Sequence, residues 1–144
     1  MATACYVLDF PMPIVPKGNL VAYRKYSMVD VNNKKIKNLE NVITLLFRKK
    51  YGNTMPFPTQ AVAVEVAFFF PRPNLHFTRK GNRSKHWIPH YVHSPDVDKC
   101  VRTILDALTN LVYTDDRQVV ELAAWKFYGD EYRICLKIQE VAEK

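Results

Sequence analysis

The chain has 144 residues, which suits one domain with a single core. Apolar residues make up 48% and charged residues 24%, which excludes a disordered or low-complexity polypeptide. Lys and Arg number 21 against 14 Asp and Glu, a formal charge of +7, so an anionic partner such as nucleic acid is one expectation; a basic protein with no such partner has the same balance.

The N-terminus lacks a basic region followed by an apolar run, so no secretory signal is expected. CYVLDF (Cys5 to Phe10) reads as a short strand stopped by the prolines of PMPIVP. NLVAYRKYSMVDV holds one or two further short strands. NKKIKNLENVITLLFRKKYG reads as a helix: Ile36, Leu39, Val42, Ile43, Leu46 and Phe47 recur at three- and four-residue spacing, and Gly52 is its stop. Arg48, Lys49 and Lys50 suit the negative end of that helix better than they suit DNA contact.

TQAVAVEVAFFFPRP is the strongest strand, with Val62, Val64, Val66 and Phe68 alternating with smaller or polar residues until Pro71. Its apolar run is too short to span a bilayer as a helix, so no membrane partner is expected. From about residue 71 to 94 runs a long basic loop with Arg72, Arg79, Lys80, Arg83, Lys85 and all four histidines. Loops of that length inside a compact domain are usually functional or disordered, and these cations are candidate DNA contacts. Trp87 and Tyr91 either stack on unpaired bases or pack the loop onto the domain. The spacing of His86, His90 and His93, with Cys100, matches no common zinc pattern. Cys5, Cys100 and Cys135 are few, odd in number and widely spaced, which points to reduced thiols and a cytoplasmic location.

A helix is expected from about Asp96 to Asn110. Val97, Val101, Ile104, Leu108 and Leu111 form one stripe, widened by Cys100, Leu105 and Val112. Asp98, Arg102 and Asp106 share another face. Asp96 and Asp98 would stand about 200° apart in a regular helix, so Asp96 belongs at the junction before it and Asp98 in the first turn. After YTDD, two strands, QVVELAAWKFYG and YRICLKIQEV, are expected as a hairpin turning near Gly129 and Asp130. Trp125 and Phe127 are read as core or dimer-interface residues, and Ile134 and Leu136 as further interface candidates unless the sheet buries them. The whole reads as a single α+β domain over residues 1–144, with a mixed or mainly antiparallel sheet and two principal helices.

One aspartate is explained by a helix cap and one acidic pair by a turn. Two pairs, Asp96/Asp98 and Asp115/Asp116, flanking one apolar helix ask for more. Clustered carboxylates need a cation, and oxygen-only donors favour Mg²⁺ or Mn²⁺. Such an ion beside Lys99, Arg102 and a basic loop is what phosphodiester hydrolysis requires. An Asp-x-Asp motif also serves nucleotide-sugar transfer, but the chain has no Gly-rich phosphate loop.

The segment DVDKCVRTILDALTNLVYTDDRQVV resembles the signature of the RusA family of Holliday-junction resolvases: D-x-D, a basic residue four positions after the second Asp, DAL, a short link and DDxQVV. FPMPIVPKGN is similar to the Pro- and Asn-rich turn after the family's first strand. The core resemblance covers about one fifth of the chain. It implies a RusA-like fold and a magnesium-dependent endodeoxyribonuclease (Mn²⁺ as substitute) that resolves four-way junctions as a homodimer during recombination and repair, in a bacterial or phage-infected cytoplasm. It assigns Asp96, Asp98 and Asp116 to metal and catalysis, with their acidic neighbour Asp115 in the metal set and Arg102 in the catalytic one. Arg102 stands where the founding enzyme has an essential lysine, Lys99 replaces an asparagine and is a candidate to share that role in DNA binding, and YVHSP stands where the family has a basic run. Two alternatives stay open: a related nuclease acting on forks or flaps, and an inactive branched-DNA-binding module.

Overall fold

The computed structural model describes residues 4–18, 20–22, 28–30 and 32–143. In chain order the elements are β1 (Cys5–Phe10), β2 (Leu20–Ala22), β3 (Met28–Asp30), α1 (Asn33–Tyr51), β4 (Val62–Pro71), α2 (Val97–Leu108), β5 (Val119–Gly129) and β6 (Arg133–Glu140). The one or two strands expected around NLVAYRKYSMVDV correspond to β2 and β3, which pair antiparallel; residues 19, 23–27 and 31 of that stretch lie outside the described residues.

The main sheet has four strands in the order β1-β6-β4-β5. β6 is antiparallel to both β1 and β4, whereas β5 is parallel to β4, so the sheet is mixed. The expected hairpin is therefore corrected: β5 and β6 flank β4 on opposite sides. Crossing one intervening strand means covering about 10 Å, two strand spacings. The short link Asp130–Tyr132 has the reach for that. β4 takes the centre because its Val62, Val64, Val66, Phe68 and Phe70 are all buried, which makes it the strand with most to gain from neighbours on both sides. Gly129 passes directly over the Phe69 ring, where an added Cβ would come within 3.3 Å.

Both helices supply the core on the inner face. From α1 come Ile36, Leu39, Ile43 and Phe47, at helical spacing, and Gly52 ends it at φ +88° with its N–H bonded to Arg48 O. From α2 come Cys100, Val101, Ile104, Ala107 and Leu108. The helix stops at Leu108 rather than Asn110, which adopts φ +68° instead. Val97 is 40% exposed and does not join the buried stripe. Ile134 and Leu136 are fully buried in the sheet, while Trp125 and Phe127 stand outward on β5, 43% and 41% exposed, so the core reading of that pair is corrected. Lys50 donates to Val7 O, as does the Tyr51 hydroxyl, and Val7 N–H donates to Tyr51 Oη; these contacts satisfy the Val7 backbone on the outer edge of β1.

The Pro-rich arm after β1 is laid across α2. Thr103, fully buried, donates its hydroxyl to Val15 O at 2.6 Å, and Lys17 N–H bonds Lys99 O. The Lys17 ammonium meets Asp106 at 2.6 Å and Glu40 at 3.8 Å. Gly18, at φ +96°, then lies so close to Arg102 that a Cβ there would be 3.3 Å from its Nη1.

Candidate functional site

The first acidic pair stands where expected. Asp96 has extended backbone at the N-cap position of α2 but its side chain makes no capping bond; Asp98 is in the first turn. Both are exposed, and the Asp96 carboxylate lies 4.0 Å from the Lys99 ammonium. The strand that returns along α2 delivers a residue not foreseen from the sequence. Lys126 donates to the carbonyls of His93 and Pro95, each at 2.9 Å, and its ammonium lies 5.3 Å from the centre of the Tyr91 ring. Tyr91 stacks on Phe70, with centroids 3.9 Å apart, and donates its hydroxyl to Ser94 O at 2.6 Å. The approach to Asp96 is thus clamped from two sides. Lys126 pairs with the fully buried Phe68, so an isolated lysine lies on the inward face of a strand, a placement visible only once the strands are paired. Cys100 is buried beneath this end, and burial pushes its thiol up to about 12; the Asp96 and Asp98 charges add to that rise and Lys126 opposes it. It is a packing residue, as its place on the apolar stripe implies.

The second acidic pair is built differently. Asp115 caps a short 3₁₀ turn, Asp116–Gln118, accepting from Arg117 N–H at 3.0 Å. Gln118 Oε1 accepts from the N–H groups of Thr114 and Asp115, and its Nε2 donates to Phe57 O and Gln60 O. Asp115 therefore works in the turn, while Asp116 beside it is exposed. Beneath them Tyr113 is fully buried and donates to Leu105 O; burial raises its pKa, and the charges of Asp116, Asp106 and Asp115 raise it further.

Between the pairs lies α2, whose 12 residues extend about 18 Å. Among the described residues no three or more His, Cys, Asp or Glu side chains gather where they could hold a metal ion. One chain does not bring Asp96, Asp98, Asp115 and Asp116 together, nor the histidines with Cys100. Arg102 is exposed on the flank of α2, one turn after Asp98.

In the basic loop the cations differ in how they are held. The Arg72 guanidinium lies between the Trp87 and Tyr128 rings, 4.3 and 4.2 Å from their centres, and donates to Ile88 O and His76 Nδ1. Arg83 covers the Trp87 ring at 3.8 Å. Arg72 is thus held against the fold, and Trp87 is packed between the Arg72 and Arg83 guanidinium groups. His76 is buried, and that burial, with the Arg72 charge second, lowers its pKa. Phe77 and Arg83 bridge antiparallel around a turn closed by Thr78 and Asn82, which presents Arg79 and Lys80 at its tip. Arg79, Lys80, Arg83 and Lys85 are exposed.

The family model described as Endodeoxyribonuclease RusA matches residues 11–139. The chain is also 35% identical over 86 residues to a Bacillus subtilis (strain 168) protein described as Uncharacterized protein YqaN, an alignment covering 58% of this chain and 61% of that relative. No helix among the described residues is long and apolar enough to cross a membrane.

Proposed function

The chain belongs to the RusA endodeoxyribonuclease family, and on that premise we propose that it is a magnesium-dependent, structure-selective endodeoxyribonuclease that resolves four-way DNA junctions as a homodimer. The observation that carries the reading is the state of Asp96, Asp98 and Asp116. All three are exposed, and Asp96 stands at a helix N-cap without capping it. Their oxygen donors suit Mg²⁺, or Mn²⁺ in its place. Among the described residues of one chain they do not gather around a shared ion.

A second copy resolves the mismatch. β5 is an end strand of the sheet, with Val120, Leu122, Trp125 and Phe127 exposed along it. It leads from the Asp116 end of α2 to Lys126 at the Asp98 end. Antiparallel packing of two such edges would set Asp116 of one copy against Asp96 and Asp98 of the other, twice, as two-fold symmetry requires. Two sites in related orientations suit paired cuts on opposing strands. A bound divalent ion would supply an activated water and charge neutralisation at the phosphate. Around it, Arg102 and Lys99 neutralise the phosphate, and Arg79, Lys80, Arg83 and Lys85 grip the backbone of the arms. Asp115 holds the turn that presents Asp116.

Mixing inactive variants tests the reading. Asp98→Asn and Asp116→Asn should each abolish Mg²⁺-dependent junction cleavage. Re-equilibrated together, they should regain nicking, because one site of the mixed dimer then carries no substitution. A mixture as dead as its components would place all three aspartates in one chain's site or in none. The separation of the pairs favours one rival: a chain that sediments as a monomer on junction DNA has no complete acidic site and is a branched-DNA-binding module. Cutting of forks or flaps in preference to four-way junctions would reassign the substrate instead.

A further inference from the structure

A cavity of about 540 Å³ opens beside Asp96, bounded by the arm after β1, the end of β4, the segment before α2 and the turn between β5 and β6. Asp96 and Lys99 form one wall, Tyr91 and Tyr132 are aromatic walls, Pro95 adds an apolar one, and Asn32, whose amide donates to Pro16 O at 3.3 Å, lines it too. The volume lies within the usual range for a small-molecule site. The aromatic wall is braced: Phe70 is buried, with Tyr91 stacked on it at 3.9 Å and 5° and Tyr132 edge-on at 6.3 Å. Tyr132 is 46% exposed and so stands at the mouth.

We propose that this cavity receives one nucleobase, extruded from the junction next to the phosphate that is cut. The inference rests on the nuclease reading of Asp96 and Lys99. If those two residues handle a phosphate, the only large, flat, largely apolar group that DNA carries within reach is the base of an adjacent nucleotide. The exposed Tyr132 ring at the mouth can take a base through its π face. Bases at a branch point are the least costly to extrude because their stacking is already broken. The cavity thus gives the chain a way to sense which nucleotide flanks the cut.

A cycle between protein and DNA tests this. Junctions carry an abasic nucleotide, one position at a time, around the cut site. Cleavage in Mg²⁺ and binding in Ca²⁺ are measured with the natural chain, with Tyr132→Ala and with Tyr132→Phe. At one position, removing the base should slow cleavage by the natural chain roughly tenfold or more, the scale of one lost stacking contact. Tyr132→Ala should slow the intact junction by a similar factor, and removing that base should then cost nothing further. Tyr132→Phe should keep the coupling. Factors that multiply independently at every position would overturn the proposal, with the nuclease reading intact. A chain that neither binds nor cuts any junction would overturn the nuclease reading, and this one with it.

Discussion

The two ends of α2 carry the same residue type for different purposes. At the C-terminal end Asp115 is absorbed into a capped turn that Gln118 stitches to Phe57 and Gln60. At the N-terminal end the aspartate in the capping position caps nothing, and the segment is held instead by a lysine arriving from β5. A carboxylate that works in the fold explains itself. One held in place at the surface without such work asks for a ligand. The contrast separates Asp115, a fold residue, from Asp96, Asp98 and Asp116, the proposed site.

Substitutions at the two ends should separate activity from stability, and the largest effect belongs to the first. Asp98→Asn should abolish cleavage with little change in the thermal midpoint, and junction binding should hold or tighten because a negative charge near the phosphates is gone. A nicking assay, a gel shift and a melting curve check all three. Arg102→Ala, one turn along, should lose far more rate than affinity, with Arg102→Lys recovering part of it; equal loss of both would make it a general backbone contact.

Lys126→Met sharpens the comparison by releasing the N-terminal end alone. It leaves the His93 and Pro95 carbonyls without their ammonium donor. It should cost about 1–3 kcal/mol by urea unfolding and slow cleavage as well. Asp115→Ala should cost about 1 kcal/mol, through the lost cap. Its cleavage should fall less than that of Asp98→Asn; equal loss would merge the two classes.

The smallest effect is one of pH. His76, buried under the loop that leads to the N-terminal end, is held below the ordinary histidine value of 6.5 by burial and by the Arg72 charge. The unfolded chain therefore takes up its proton first as the pH falls. The stability contribution is present in full above about pH 6.5 and is lost below it, through the depressed native pKa. His76→Gln should flatten the acid limb of a stability–pH curve; an unchanged limb would assign it to other groups.

Local pattern alone determined the elements. The helical spacing of Ile36, Leu39, Ile43 and Phe47, the alternation of Val62 to Phe68, and the geometry of two aspartates two residues apart each settled a piece of chain, because backbone periodicity and caps act over a few residues. Cys100 was legible as core for the same reason. Which strands are neighbours was decided by packing. A short link reaches an adjacent strand or the next one equally well, so only the burial gained by β4 placed it between β5 and β6. Lys126 at the Asp96 end and Arg72 between two rings both follow from that placement. They join residues tens of positions apart through side-chain contacts that no spacing along the chain encodes.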